Sequence, residues 1–281
     1  MVRIITDSAA DFEPAELQRL NITCIPLTVI FDEKEYQENI NLSKEEFYQL
    51  LDQTEGFPKT AQASPQILQD LFEQAQAAGE EAIYITLSSA ISGTYQTAVM
   101  VQKMQGCDSC HVLDSRNATG GQRMLVEYAA RLRDTGMGAA EIVTVLETVR
   151  DQVELYACID TLEYLYRGGR ISHTAYALGS LAQIKPIISI DVEGKVVVPG
   201  KAMGMRKGMD MLCKKLEQKK PDGDFPWYVM YTKDRKNGEV LAQRIRGLGY
   251  DVPDERIINV GAAIGSHIGP NACGLVYISQ K

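Results

Sequence analysis

Hydroxyl side chains gather at the point where a buried strand gives way to a helix. The continuous apolar run Ala82–Leu87 is typical of a strand covered on both faces. Ser92 follows it and stands directly before Gly93, where the next helix is predicted to begin. A helix N-terminus offers free N–H donors and a partial positive charge, and ligands of open α/β sheets lie beyond the carboxyl ends of strands. The pattern predicts either an anion site at Ser92 or an ordinary N-cap.

A Gly-Gly pair lies between two arginines in the segment Arg167–Arg170, directly after a short apolar helix pattern. Gly-Gly can end a helix by adopting positive φ angles. Ser172 can then cap a second helix over His173–Ala182. One interpretation is a helix–turn–helix corner with two surface arginines. The other is that Arg167 and Arg170 are held rigidly toward an anion or a partner.

His267 is one of three histidines and lies between Gly265 and the pair Gly269-Pro270. Glycines on both sides allow the backbone to approach a ligand or another segment closely. A neutral imidazole donates one hydrogen bond, whereas a protonated one donates two and adds a positive charge. A lone histidine is more often structural than functional, so these residues alone leave both roles open.

The elements that position these side chains alternate between strand and helix over the first two-thirds of the chain, which predicts a parallel α/β sheet. Ile22–Phe31 is predicted to be a single strand, and Thr60 to lie in a loop between two helices. After the Arg-Gly-Gly-Arg segment the pattern becomes mixed, with a hairpin at Glu193-Gly194. We therefore predict an N-terminal α/β domain over 1–160 and a C-terminal α+β domain over 161–281, with a ligand between them.

Composition and charge exclude some classes of function. The net charge is -8, which argues against general nucleic-acid binding. No apolar run approaches the roughly 20 residues of a membrane span, and the N-terminus lacks a signal-peptide layout. We expect a cytoplasmic protein without stable membrane insertion.

The six cysteines are expected to be reduced. Cys107–His111 matches the C-x-x-C-H haem-attachment pattern, but the absence of an export signal favours a loop with two thiols, and no metal. The chain has no G-x-S-x-G elbow and no G-x-x-x-x-G-K-[ST] phosphate loop. We therefore predict no catalytic residues, no cofactor and no binding of ATP by this chain alone.

Several motifs, in this order and over nearly the whole length, resemble the DegV family of bacterial fatty-acid-binding proteins, which includes the acyl-carrying subunits of fatty acid kinase. These motifs are Ile4–Ser8, Thr60–Pro65, Leu87–Gln96, Tyr164–Ser172 and Gly265–Pro270. The resemblance implies a DegV-like fold. It also implies that Thr60, Ser92 and His267 contact the carboxylate of a long-chain fatty acid. Ala61 and Ala63 depart from the family pattern, which often has serine and proline there, so Thr60 carries more weight.

A fatty acid also needs an apolar tunnel. Each buried CH₂ contributes about 0.8 kcal/mol, so roughly fifteen contribute about 12 kcal/mol before ordering costs, against about 1 kcal/mol net for each hydroxyl contact. The tunnel would hold the acid and the polar groups would orient it. Sequence does not separate tunnel from core; the candidates for the lining are Ile159, Leu162, Leu165, Ile184, Ile187 and Ile264.

Two basic residues are candidates for contact with a kinase partner or with the phosphate it transfers. Arg170 belongs to the Arg-Gly-Gly-Arg segment, and Arg206 matches a basic position of the family at the start of a predicted helix. The alternative for both is solvated surface charge.

The leading hypothesis is a carrier, not an enzyme. It presents the carboxylate to a separate ATP-dependent fatty acid kinase subunit, and the acyl phosphate formed feeds phospholipid synthesis. One alternative is a phosphotransferase acting on a small hydroxylated substrate, with His267 phosphorylated or forming an adduct. A further alternative is a lipid-sensing regulatory module.

Overall fold

The computed structural model describes residues 1–177 and 183–280. Within these ranges the chain forms a four-stranded, a six-stranded and a three-stranded sheet. The strands are β1 Val2–Asp7, β2 Ile22–Ile25, β3 Thr28–Phe31, β4 Lys34–Gln37, β5 Lys59–Ala61, β6 Glu81–Thr86, β7 Cys110–Asp114, β8 Val153–Cys158, β9 Ile184–Ile190, β10 Val196–Met203, β11 Tyr228–Tyr231, β12 Ile257–Asn259 and β13 Cys273–Ile278.

The helices pack on both faces of the first sheet and around the second. Two 3₁₀ turns, Ser8–Ala10 and Asp254–Arg256, accompany them. The α-helices are α1 Pro14–Leu20, α2 Lys44–Gln53, α3 Pro65–Ala77, α4 Thr94–Gln105, α5 Thr119–Asp134, α6 Ala139–Arg150, α7 Glu163–Arg167, α8 His173–Ala177, α9 Met205–Gln218, α10 Arg235–Gly247 and α11 Ala262–Ile268. The sequence predicts a helix over His173–Ala182. Its first residues form α8, and residues 178–182 lie outside the described part of the chain.

The first sheet is parallel, in the order β2-β1-β6-β7, as the strand–helix alternation predicted. Ile83, Tyr84 and Ile85 of β6 are fully buried, which confirms the interpretation of the continuous apolar run. The carboxyl ends of β1, β6 and β7 lie at one edge of this sheet. The hydroxyl-rich segment after β6 starts at that edge.

The second sheet is mixed, in the order β10-β9-β8-β13-β11-β12. Its β11–β12 pair is parallel and its other pairs are antiparallel. The predicted hairpin is confirmed, because β9 and β10 are joined by a turn in which Gly194 has a φ of 81°. Strand β8 pairs within this sheet although it precedes Asp160. The division into 1–160 and 161–281 stays a prediction.

The small third sheet, in the order β4-β3-β5, corrects two predictions. Ile22–Phe31 is not one strand: it breaks at Pro26, so that β2 pairs in the first sheet and β3 in the third. Proline has no N–H to donate to a strand ladder, which makes it a natural point of division. Thr60 does not lie in a loop, because it belongs to β5 and pairs with Val29.

The prediction that all cysteines are reduced is wrong for one pair. Cys107 and Cys110 form a disulfide, with Cα atoms 5.3 Å apart. The cause is a tight turn before β7, in which the Cys110 N–H donates to the Cys107 carbonyl over 3.2 Å and brings the two side chains together. Cys24, Cys158, Cys213 and Cys273 are free.

In the described ranges, no helix combines the length and the apolar character needed to cross a bilayer. Nor do residues 1–177 and 183–280 bring together three or more His, Cys, Asp or Glu side chains in a position to hold a metal ion.

Candidate functional site

A cavity of about 280 Å³ lies between the carboxyl edge of the first sheet and one face of the second. Its volume is near the lower end of the range for small-molecule sites, which is roughly 300–1,000 Å³. Most of its wall is aliphatic, and polar side chains make up a minority of the lining. The main lining residues are Leu27, Thr60, Leu87, Ile91, Ser92, Ala118, Thr119, Leu155, Ala157, Leu165, Arg170, Ile188, Ser189, Ile190, Val196, Met230, Thr232, Val260, Ala263, Ile264, His267, Ile268 and Gly274.

Helix α11 brings His267 to this wall. The sequence pattern predicted no helix here, and the glycines on either side of His267 indicated only a close approach of the backbone. The cavity-facing residues Ala263, Ile264, His267 and Ile268 lie at helical spacing on one face.

Thr60 and His267 meet at one end of the cavity. The Thr60 Oγ1 lies 2.9 Å from the His267 Nε2, although the residues are separated by most of the chain. Thr60 comes from the short strand β5 and His267 from α11, so two remote segments build this contact. The structure therefore brings together two of the three residues predicted to bind a carboxylate.

His267 is held in its neutral form. Burial, with a further contribution from the positive charge of Arg170, lowers the pKa of His267 to about 3. Its Nδ1 is buried without a hydrogen-bond partner among the described residues. At neutral pH the imidazole is thus a hydrogen-bonding group and not a cation.

The buried Nδ1 also selects a tautomer. A proton on Nδ1 would leave a buried N–H donor unpaired, and unpaired buried donors are rarer in proteins than under-used acceptors. The proton therefore belongs on Nε2, from which it is donated to the Thr60 Oγ1. The Thr60 hydroxyl proton is then free to be donated to a ligand in the cavity.

Ser92 lies at the same end of the cavity, in the segment between β6 and α4. Its Oγ lies 3.0 Å from the Thr94 Oγ1 and accepts a hydrogen bond from the Thr94 N–H over 3.3 Å. Ser92 therefore accepts from the first N–H of α4 and also lines the cavity, and an anion site at Ser92 stays a prediction.

Arg170 closes the cavity beside Ser92. Its Nε donates to the Ile91 carbonyl over 3.0 Å, and its Nη1 donates to the Gly168 carbonyl. Burial lowers the pKa of Arg170, and in the described part of the chain no carboxylate is its partner. The guanidinium is thus a half-buried positive charge at the cavity wall.

The other candidate arginines lie elsewhere. Arg167 is exposed, pairs with Glu163 and lies over the ring of Phe57, with its Cζ 4.3 Å from the ring centroid. Arg206 is exposed in the first turn of α9 and does not line the cavity. A role for Arg206 toward a partner or a phosphate stays a prediction.

The predicted tunnel lining is right for two residues and wrong for four. Leu165 and Ile264 line the cavity, whereas Ile159, Leu162, Ile184 and Ile187 do not. Ile187 packs instead with Met209 and Leu212, on the opposite face of β9 from Ile188. The signal that could have found the lining is the alternation along the strands: Leu155 and Ala157 on β8, and Ile188 and Ile190 on β9, face the cavity.

Comparisons with known proteins cover the whole chain. The DegV family model, described as "Uncharacterised protein, DegV family", matches residues 1–280. A DegV domain-containing protein of Caldanaerobacter subterraneus subsp. tengcongensis is 35% identical, and the match covers 100% of this chain and 99% of that protein.

Solved structures share the fold. A DegV family protein from Thermus thermophilus, described as fatty acid binding, has a TM-score of 0.89 at 27% identity, with 99% of both chains covered. A stearic acid-binding protein from Eubacterium ventriosum has a TM-score of 0.88 at 25% identity, with 99% of this chain and 98% of that chain covered. Their α/β architecture, with a parallel first sheet and a mixed second sheet, is that of the present chain.

Proposed function

The chain belongs to the DegV family, and on that premise we propose that it binds a long-chain fatty acid in the cavity between its two large sheets. The observation that carries this proposal is the division of one cavity into two chemical parts. One end holds Thr60, Ser92, His267 and Arg170, and the remainder of the wall is predominantly aliphatic.

The polar end suits a carboxylate. The Thr60 hydroxyl, whose oxygen accepts from the neutral His267, has its proton available for the acid. Ser92 offers a second hydroxyl, and Arg170 supplies a positive charge that pairs with no carboxylate among residues 1–177 and 183–280. Hydrogen bonds with a charged partner are roughly twice as strong as those between neutral groups. These groups therefore bind an ionised carboxylate more strongly than a neutral carboxylic acid.

The aliphatic part suits an acyl chain. Its walls come from β8, β9, β11 and α11, and they bury methylene groups at about 0.8 kcal/mol each. The described fatty acid binding of the Thermus thermophilus relative and the stearic acid of the Eubacterium ventriosum relative support this assignment.

The same arrangement supports a carrier that presents the carboxylate to a separate ATP-dependent fatty acid kinase. Such a kinase moves the γ-phosphoryl group of ATP to a carboxylate oxygen, forming an acyl phosphate and ADP, so the carboxylate must be reachable from outside. A surface depression lined by Ser89, Gln96 and Gly169 shares Ser92 and Arg170 with the cavity. In this scheme the chain is not an enzyme, and the product enters phospholipid synthesis in the cytoplasm.

The phosphotransferase alternative needs an imidazole nitrogen that can accept a phosphoryl group. Here the His267 Nε2 is engaged by Thr60 and the Nδ1 is buried, which favours the carrier. A lipid-sensing module would bind the acid equally well, and it differs only in failing to stimulate a kinase.

The experiment that tests the proposal is to purify the protein from cells, denature it, extract it with organic solvent and identify small molecules by mass spectrometry. A fatty acid in near-stoichiometric amount is the expected result. An empty extract, together with no uptake of added oleate or palmitate, would contradict the carrier and make the phosphotransferase the leading hypothesis. An acid-labile phosphate on His267 after incubation with a phosphoryl donor would support that alternative directly.

A further inference from the structure

We infer that Thr94 is a positioning residue that turns the Ser92 hydroxyl toward the carboxylate of the bound acid. This inference rests on the proposed function. Thr94 is 1% exposed and does not line the cavity, so it acts on a ligand only through Ser92.

The Thr94 hydroxyl takes part in two contacts. Its Oγ1 accepts from the Ala63 N–H over 3.3 Å and lies 3.0 Å from the Ser92 Oγ. A hydroxyl has one proton and two lone pairs. The Ala63 N–H occupies one lone pair, and the Ser92 Oγ is the polar atom within reach of the proton of Thr94 in the described ranges.

The consequence appears at Ser92. Its Oγ accepts from the Thr94 N–H over 3.3 Å and, in this arrangement, also from the Thr94 hydroxyl. Both lone pairs are then used, and the one remaining capacity of the Ser92 hydroxyl is to donate its own proton. Because the cavity lies on the open side of Ser92, that proton is directed to the ligand.

The opposite direction of the bond is unfavourable with an acid bound. If Ser92 donated to Thr94, the buried Thr94 proton would have no acceptor, and Ser92 would present a lone pair to a carboxylate. An unsatisfied buried donor and a repulsive contact would both result. Thr94 therefore plays toward Ser92 the part that the His267 Nε2–H plays toward Thr60.

The test is a double-mutant cycle with protein stripped of lipid, using palmitate and methyl palmitate as probes. Thr94→Val keeps the volume and removes the hydroxyl. We expect it to weaken palmitate binding about three- to tenfold. In a Ser92→Ala background it should cause no further loss, because Thr94 acts through Ser92. Thr94→Ser should restore wild-type affinity, and binding of the ester should change little.

Loss of the acceptor for the Ala63 N–H is a separate, structural effect of Thr94→Val. It lowers the melting temperature in both backgrounds and cancels in the cycle. If the valine variant does not fold, Thr94→Ala, which also removes the hydroxyl and favours the helix, replaces it in the same cycle.

Two results would overturn the inference: an equal loss of palmitate affinity in the Ser92→Ala background, or an equal loss for acid and ester. Failure of the wild-type protein to bind palmitate at all would instead count against the proposed function.

Discussion

Gly168 lies so close to His267 that a Cβ on residue 168 would stand 2.2 Å from the imidazole Nδ1. The two glycines between the arginines thus have different reasons to be glycine. Gly169 has a φ of 74°, which L side chains rarely adopt, whereas Gly168 has an ordinary φ of -73° and is required by the contact with His267. The His267 imidazole therefore packs against the Arg-Gly-Gly-Arg turn at Gly168.

Gly168→Ala is expected to displace the His267 ring, because a Cβ cannot stand 2.2 Å from Nδ1. The bond between Thr60 and His267 would break, and the affinity for palmitate should fall by about fivefold or more, as for the loss of one hydrogen bond. Titration with palmitate measures the change. Gly223→Ala is the control, since no heavy atom lies within 4 Å of the position of its Cβ. Unchanged affinity in Gly168→Ala would show that the ring tolerates the methyl group.

Ser92→Ala and His267→Ala are each expected to weaken fatty acid retention without unfolding the protein. Each variant removes a polar contact worth about 1 kcal/mol net, while the acyl chain keeps its aliphatic surroundings. Mass spectrometry of extracted lipid and thermal melting measure the two effects separately. Full lipid retention in the double variant, at an unchanged melting temperature, would remove these residues from the site.

Arg170→Gln is expected to reduce the affinity for the acid more than for its methyl ester, since the guanidinium lines the cavity without a carboxylate partner in the described part of the chain. Arg206→Gln provides the matched comparison, because Arg206 is exposed and lies away from the cavity. It should leave binding of both probes unchanged. Equal effects of the two substitutions would argue that the charge of Arg170 acts only at long range.

Two buried acids at the start of α11 are expected to lower the stability of the ligand-free protein as pH rises from about 4 to about 7, whereas His267, with its lowered pKa, contributes in the opposite direction. The Asp11 carboxylate accepts from the Gly261 N–H over 2.8 Å, and the Glu38 carboxylate accepts from the N–H groups of Ala262 and Ala263. Burial raises the pKa of Asp11 to about 6, and burial with the nearby Asp11 raises that of Glu38 to about 7. The folded state then holds protons that the unfolded state has released, so folding is favoured at low pH and less so at high pH.

Urea unfolding across this pH range measures the effect. Glu38→Gln should flatten the decline, because the amide does not titrate, even if the variant is less stable overall. Glu45→Gln on the exposed surface of α2 should keep the wild-type slope. An unchanged slope in Glu38→Gln would assign the decline to other groups.

Much of the fold could be predicted from the sequence because its periodic segments are long. The strands of the first sheet and the long helices follow from apolar runs and capping signals, such as the Ser43 capping box at the start of α2. The errors fall where tertiary contacts decide. Thr60 becomes a strand residue only because β3 offers an edge, and α11 forms despite its glycines because Asp11 and Glu38 bind its first N–H groups.

The residues of the site could be predicted, but the contacts between them could not. The resemblance to a family pointed to Thr60, Ser92 and His267, and the structure brings all three to the cavity. The hydrogen bond from His267 to Thr60 and the contact of Gly168 with the imidazole join residues 207 and 99 positions apart, respectively, which no local pattern specifies. The prediction of the tunnel lining failed for a related reason. Ile187 and Ile188 are neighbours in the chain and differ only in the face of β9 that they occupy.

Strand β13 is the final strand in chain order, yet it lies in the interior of the second sheet, between β8 and β11. One neighbour of β8, β9, follows it closely in the chain, whereas more than a hundred residues separate β8 from its other neighbour, β13. Cys273 and Gly274 of β13 belong to the cavity wall. A nascent chain that ends before this strand contains Thr60, Ser92 and His267 but lacks part of the wall that encloses the cavity. We expect acyl chains in the cell to be taken up only by chains that have folded through Ile278.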